Sequence, residues 1–382
     1  MSSDAVDILK PGENFRGYVI QKCIGCGAAA TVYLAKHEVL ETHYALKVLH
    51  PSIAAEGDSN FLKRFLREAR LATRIRHPNL VSVHDCGHDD ERDLYYLVMD
   101  YVPGASLRNT LGFEGRLQVK HAAAIVAQVA SALDAAQEFQ VVHRDIKPEN
   151  IMIQPDGSVK LVDLGIAKAR NLGDSFNTNT DSTLGTPSYI SPEQAQNFAN
   201  VDMRADIYSL GMVFFEMLTG KCPYVGANPA YVLAQILSDD PVPDVRDYAP
   251  DVPPELAVLV RRMTVKDRSR RMSSFKLVLD ELGRMGLGNV EKLPFRVEYA
   301  ACPPEGMKTL LGEIGRNAGA DADPLGNPDD DVRGFMERQV AANAAARRKW
   351  LVLMVAVATV AVLALGVLLD WLLRLCLVTQ DV

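Results

Sequence analysis

The sequence predicts a two-lobed α+β domain, a small β-rich lobe followed by a larger α-rich one, joined by a linker to a C-terminal transmembrane helix. Three observations carry this reading. Short stretches rich in β-branched and aromatic residues alternate between about Phe15 and Val102, helical apolar spacing dominates from Leu107 onward, and residues 350–369 contain no charge. A chain of 382 residues, 48% of them hydrophobic, is long enough to bury a sizeable core. The formal net charge of -7 offers no basic footprint, so nucleic acid is not an expected partner. Six cysteines scattered over this length are too sparse for a secreted disulfide scaffold and fit a reducing compartment.

Residues 1–14 read as an N-terminal tail. Its start, "MSSDAVDILK", is acidic and has neither the basic nor the apolar region of a signal peptide. The predicted strands are "FRGYVIQKCI", "TVYLAKHEV", "YALKVLH", "LVSVHDCG" and "LYYLVMDYV", which place the β-rich lobe at about 15–102. One helix interrupts them. In "FLKRFLREARLATRI" Phe61, Phe65, Leu66, Ala69, Ala72 and Ile75 recur at helical spacing, with Lys63, Arg64, Arg67, Arg70 and Arg74 on another face. The helical lobe, about 103–285, contains "KHAAAIVAQVASALDAAQEF" and "DIYSLGMVFFEMLTG". Residues 286–349, with "GADADPLGNPDDDV", read as a partly disordered juxtamembrane linker. The segment "WLVLMVAVATVAVLALGVLL", 350–369, spans roughly 30 Å as a helix, the thickness of a hydrocarbon core. Trp350 and Trp371 flank it, and "RRK" at 347–349 precedes it. The positive-inside rule then places 1–349 in the cytoplasm and 370–382 on the far side as a short tail.

The stretch "CIGCGAAATVYLAK", Cys23 to Lys36, lies between two predicted strands, so it is not a dinucleotide fingerprint, which must open a helix. Gly25 and Gly27 let backbone amides approach a phosphate without an intervening side chain. The same pattern would also serve as an ordinary hairpin, and residues further on decide between the two. Lys47 on the next strand is placed to neutralise phosphates beneath this loop, and Glu68, near Phe65 and Ala72, is its expected ion-pair partner. Cys23 and Cys26 form a C-x-x-C without further convincing ligands nearby, so no metal is expected there. "HRDIKPEN", His143 to Asn150, is followed by "DLG", Asp163 to Gly165. Phosphoryl transfer needs a carboxylate beside the attacking hydroxyl, cations for the developing charge and oxygen ligands for a divalent metal. Asp145 and Lys147 fit the first two needs, Asn150 and Asp163 the third.

Over about residues 18–285 the chain resembles the bacterial, eukaryotic-like (Hanks-type) serine/threonine protein kinases, and with its C-terminal span it resembles their membrane-anchored members. "HPNLV" from His77, "MDYVPGASL" from Met99, "GTPSYISPEQA" from Gly185 and "ADIYSLG" from Ala205 add to the match. The resemblance implies the bilobal protein-kinase fold and ATP-dependent phosphorylation of Ser/Thr hydroxyls on protein substrates, with Mg2+, or Mn2+ in its place. It implies Asp145, Lys147, Lys47, Glu68 and Thr186 as catalytic residues, with Thr186 hydrogen-bonding near Asp145. ATP would be held by Ile24, Gly25, Gly27, Val32, Ala45, Lys47, Asp100 and Val102, with Asn150 and Asp163 as metal ligands and Met99 as gatekeeper. Glu193 would pair with Arg271. Ala30, Leu164, Ser191 and Met272 depart from the family pattern, and none of these changes removes a charged catalytic group. A phosphate on the activation segment, at Thr178 and Thr180, would partner Arg144. The implied setting is the inner (plasma) membrane, single-pass, with a homodimer serving transfer between molecules. A catalytically idle membrane-tethered scaffold of the same fold is the alternative, and a small-molecule phosphotransferase of related fold a further one, for which "GTPSYISPE" would be superfluous.

Overall fold

Period-two alternation builds a six-stranded antiparallel sheet, which the computed structural model resolves as β1 (Asn14–Phe15), β2 (Tyr18–Cys26), β3 (Ala30–His37), β4 (His43–Leu49), β5 (Val83–Asp89) and β6 (Leu94–Asp100) in the order β1-β2-β3-β4-β6-β5. The structure describes residues 8–27, 29–51, 59–163, 187–196, 201–226 and 228–288, with the side chains of 59–64 left out. All of them belong to one compact unit, Met1–Cys302; the other unit, Pro303–Val382, lies outside the described residues, and with it the linker and the predicted span at 350–369. Among the described residues no helix is long and apolar enough to cross a membrane.

The alternation gives each sheet face its own core. Phe15, Ile20, Tyr33, Leu46, Val48, Tyr96 and Val98 pack on one side with Leu9. On the other, Ala45, Leu49, Val83, Leu97 and Met99 meet Phe65, Ala69 and Ala72 of helix α1 (Ser59–Ala72), whose buried positions are those that the sequence spacing predicts. The predicted Phe61 contact lies outside the described side chains. Lys47 shares the second face with Ala45 and Leu49, because residues two apart on a strand point the same way.

The helical lobe begins with a short strand, β7 (Ala105–Ser106), and α2 (Leu107–Glu114), whose N-terminus is capped by the Ser106 hydroxyl accepting from the Asn109 amide at 3.2 Å. Helix α3 (Val119–Gln137) buries eleven of its nineteen residues, seven of them alanine, so neighbours can approach closely. Strands β8 (Ile151–Ile153) and β9 (Val159–Leu161) complete a three-stranded sheet with β7. Then follow α4 (Pro192–Gln196), α5 (Arg204–Thr219), α6 (Pro229–Leu237), α7 (Pro254–Met263) and α8 (Phe275–Arg284). Helix α5 is buried on all sides after Arg204, mostly by apolar residues but with Asp206 and Glu216 among them. At Gly211 an added Cβ would lie 2.8 Å from Met263 and Thr264, so the glycine is what lets α5 and α7 touch.

The segment between α1 and β5 joins the lobes. The Val81 amide donates to the Leu161 carbonyl at 2.9 Å, and the Leu161 amide donates to that of Asn79 at 2.8 Å. The Asn79 side-chain nitrogen donates to Gln128 on α3 at 2.8 Å and to the Val159 carbonyl at 2.7 Å, and His77 meets Ser131 of α3 at 3.1 Å. Two departures from the kinase pattern find roles here. Ser191 is fully buried and its hydroxyl accepts from the Gln194 amide at 3.3 Å at the start of α4, while Met272 is core.

Candidate active site

Strand register assembles the first half of the site. Gly25 pairs with Val32, Val32 with Lys47, and Ala45 with Met99. Directly opposed residues share a face, and a Cβ built on Gly25 would meet the Val32 Cβ at 3.8 Å. Gly25, Val32, Lys47 and Ala45 therefore lie on the face turned toward the helical lobe. Ile24 is exposed at the sheet's outer end, and the Gly27 amide donates to the Ala30 carbonyl at 2.9 Å, closing the hairpin. Ala30, where the family pattern has a third glycine, is the first residue of β3 and is buried.

The second half is the loop 143–150, which leaves α3 and enters β8. Asp206, on α5 and buried, accepts from the His143 amide at 2.7 Å and from the Arg144 amide at 2.8 Å. Arg144 has φ +63°, a left-handed conformation that a residue with a side chain adopts at a cost. These bonds, with Gln194 Nε2 donating to the Arg144 carbonyl at 3.0 Å, hold it there. Burial pushes the Asp206 carboxyl up to about 7, against the pull of the two amides and Arg144. The buried His143 ring donates from Nε2 to the Val162 carbonyl at 3.2 Å and accepts at Nδ1 from the Asp145 amide at 3.3 Å, so its tautomer is fixed by both neighbours.

This frame aims Asp145. Its carboxylate accepts from Asn150 Nδ2 at 3.0 Å and pairs with Lys147 Nζ at 3.2 Å. Asn150 also donates to the Asp145 carbonyl at 2.8 Å. With its nitrogen committed twice, the Asn150 side chain presents its carbonyl oxygen elsewhere. Asp163, at φ +63°, follows β9, and its carboxylate is paired with Lys47. The structure thus brings Lys47, Asp145, Lys147, Asn150 and Asp163 together.

Glu68 requires a correction. The expected Lys47–Glu68 ion pair is not among the ion pairs of the described residues: Lys47 pairs with Asp163, and Glu68 Oε1 accepts from Arg144 Nη1 at 3.2 Å. Lys47 thus takes its carboxylate from the end of β9, and Arg144 takes one from α1. Arg144 Nε remains buried without a hydrogen bond. Asp100 also differs from simple expectation. Its carboxylate is engaged by His84 at 2.6 Å, by the Ser82 amide at 3.2 Å and by Lys160 at 3.3 Å. Burial alone would push it up, but the hydrogen bonds of His84 and Ser82 and the charge of Lys160 hold it below the usual carboxylate range. Its side chain thus fastens the end of β6, and the Val102 side chain beyond it is buried. Thr186, Thr178, Thr180 and Leu164 lie outside the described residues.

Two residues here have no assigned role in the sequence reading. Asp206 sits inside "ADIYSLG", where it reads as one polar position of an apolar helix; the signal was that an unpaired buried anion needs donors. Arg108, discussed below, reads as a surface arginine. The expected Glu193–Arg271 pair is present, bidentate at 2.6 and 3.0 Å.

Comparison with known proteins agrees with this geometry. A family model described as protein kinase domain matches residues 18–282. Serine/threonine-protein kinase PrkC of Bacillus subtilis is 40% identical over 254 residues, covering 66% of this chain and 38% of that protein. Serine/threonine-protein kinase PknB of Mycolicibacterium smegmatis is 37% identical over 297 residues, 75% of this chain and 47% of the relative. The chain thus spans less than half the length of these curated relatives. Among solved structures, the Mycobacterium tuberculosis PknI kinase domain superposes with a TM-score of 0.58 at 30% identity, covering 72% of this chain and 99% of that one. With the bilobal fold, the register of Lys47 and the loop around Asp145 in place, the chain belongs to the protein kinase domain family.

Proposed function

We propose that this protein is a serine/threonine protein kinase that transfers the γ-phosphoryl group of ATP to hydroxyls of protein substrates, using Mg2+, with Mn2+ able to replace it. The observation that carries the reading is the convergence of Asp145, Lys147, Asn150, Lys47 and Asp163 between the lobes. Asn150 Oδ1 and the partly exposed Asp163 carboxylate are two hard oxygen donors, a set that suits a divalent cation shared with phosphates. Such an ion, when bound, neutralises phosphate charge. Asp145 accepts the hydrogen bond of the acceptor hydroxyl and orients its oxygen, and Lys147 beside it faces the charge developing on the γ-phosphoryl group. Lys47 steadies the inner phosphates under the Gly25–Gly27 backbone, Ile24, Val32, Ala45 and 100–102 enclose the adenine, and Thr186 hydrogen-bonds near Asp145.

Regulation follows from Arg144. Phosphates on Thr178 and Thr180 give its guanidinium a stronger anion than Glu68, and Glu68 is then left for Lys47. The span at 350–369 tethers the domain to the cytoplasmic face of the inner (plasma) membrane, where pairing of two copies promotes phosphorylation of one by the other. Incubating the full chain with Mg2+ and ATP and mapping phosphosites tests the reading. Transfer that requires the metal and appears on Ser or Thr supports it. No transfer to itself or to any protein would leave the idle-scaffold reading instead.

A further inference from the structure

Beside Asp145 the helical lobe carries a groove of about 460 Å³, whose lining includes Asp145, Lys147, Arg108, Glu149, Tyr189 and Glu216. Arg108, the second residue of α2, spreads its guanidinium over three acceptors. Nε donates to Glu149 Oε1 at 2.8 Å, Nη1 to Glu216 Oε1 at 2.7 Å, and Nη2 to the Tyr189 hydroxyl at 2.5 Å. Tyr189 in turn donates to Glu216 Oε2 at 2.5 Å, and the guanidinium lies 5.8 Å from the centre of the Tyr189 ring.

Glu149 and Glu216 come from different parts of the chain, the catalytic loop and α5. A peptide whose hydroxyl reaches Asp145 must lay its neighbouring residues along this wall. Two carboxylates so placed would by themselves make a seat for a basic side chain of that peptide, through charge-assisted and bidentate hydrogen bonds. The chain fills that seat with its own arginine. Glu216 is only 8% exposed and both of its oxygens are committed, whereas Glu149 is 45% exposed with one oxygen engaged. An incoming arginine or lysine would have to displace Arg108 from a three-pronged arrangement and leave a second cation beside it. Charge along the groove is otherwise balanced, since Lys147 is matched by Asp145 and Arg144 by Glu68.

We propose that Arg108 is a specificity-determining residue of this groove, occupying Glu149 and Glu216 so that neutral side chains, not basic ones, are accepted next to the phosphorylated hydroxyl. This rests on the protein-kinase reading above and adds to it a substrate class. Arg108 acts here through the charge of the groove and takes no part in phosphoryl transfer itself.

The test uses the full chain and synthetic peptides with one central Ser or Thr, in which Arg or Gln is placed in turn at three positions on either side. Affinities are read by fluorescence anisotropy. For the wild type, Arg tightens binding by no more than about twofold at any position, and with Arg108→Ala one position favours Arg by about tenfold or more, a preference that fades with salt and disappears in Arg108→Ala, Glu216→Gln. In turnover assays the same preference appears in KM and not in kcat. A wild type that already binds the Arg peptide tenfold more tightly would overturn the proposal, whether or not the variants fold. An Arg108→Ala profile identical to wild type, or an equal loss of kcat for all peptides, would overturn it as well. If no peptide is phosphorylated at all, the kinase reading fails, while the affinity profiles still decide the role of Arg108.

Discussion

Replacing Arg271 with lysine probes how the helical lobe is held together. The Arg271 side chain is 0% exposed and makes five hydrogen bonds. Two go to the Glu193 carboxylate, at 2.6 and 3.0 Å, and three to the carbonyls of Arg204, Val265 and Lys266, at 2.7, 2.7 and 3.1 Å. The guanidinium also lies 4.9 Å from the centre of the Tyr208 ring. An ammonium offers three donors from a single point, so it cannot reproduce a planar fork that serves a carboxylate and three carbonyls together. At least two buried acceptors lose their partners, at about 1–3 kcal/mol each, and the Glu193 charge is left poorly matched. The expected loss is about 3–5 kcal/mol. With an unfolding entropy of about 2.1 cal/mol/K per residue, the matched domain at 18–282 gains roughly 0.56 kcal/mol/K on melting, so Tm falls by about 5–9 °C. Calorimetry of the full chain and of Arg271→Lys measures this directly. A shift below about 1 °C would mean that the fork is not what holds α4 to the segment before α8, and the argument from geometry would be wrong.

Asp145→Asn keeps the shape of the loop but loses the acceptor for the substrate hydroxyl, so kcat should drop by about 10²–10⁴ with ATP affinity nearly unchanged; a kcat within threefold of wild type would remove Asp145 from its role. Asp206 gives a pH signature. Its folded carboxyl, at about 7, titrates far above the unfolded value of 3.8, so the native state holds a proton that the unfolded chain has released, and stability from this group present below about pH 4 is lost as pH rises toward 7. Urea unfolding at pH 5 and pH 7 should show wild type losing about 2 kcal/mol relative to Asp206→Asn, and a pH-independent difference would contradict it. A Thr178→Ala, Thr180→Ala variant should lack the lag and acceleration of the parent, and Glu68→Gln, which frees Arg144 and removes the carboxylate proposed to pass to Lys47 on phosphorylation, should be slow whether or not the segment is phosphorylated. Matching time courses for parent and double threonine variant would rule out the switch.

Strand alternation made the sheet and the division of lobes legible, because the central strands β3, β4 and β6 bury one set of alternate residues against each face. Asp145, Lys147, Asn150 and Asp163 were legible because their chemistry demands fixed spacing within two short segments, and Lys47 because its strand follows the Gly25–Gly27 turn. Glu68 shows the limit. Which carboxylate a lysine meets depends on the placement of α1 against the catalytic loop, which the spacing of residues along the chain does not record. Arg108 was hidden for another reason: its two carboxylate partners are 41 and 108 residues away, and an arginine near a helix start looks like any solvated cation. The predicted span and the activation-segment threonines lie outside the described residues, so the sequence argument for them stands by itself.

The join at 77–81 has a mechanical meaning. Asn79, Leu80 and Val81 are bonded to β9, and Asn79 and His77 to α3, so this short segment is riveted to the strand whose continuation bears Asp163. Helix α1 ends at Ala72, just ahead of the rivet. It is therefore a lever with its fulcrum at one end, and Glu68 rides one turn out from that end. Any rotation of α1 about that fulcrum displaces the Glu68 carboxylate, and with it the pair to Arg144, more than the bonded segment at 77–81. The balance of partners around Glu68 can then be reset by tilting a single helix, with the rest of the machinery serving as its fixed bearing.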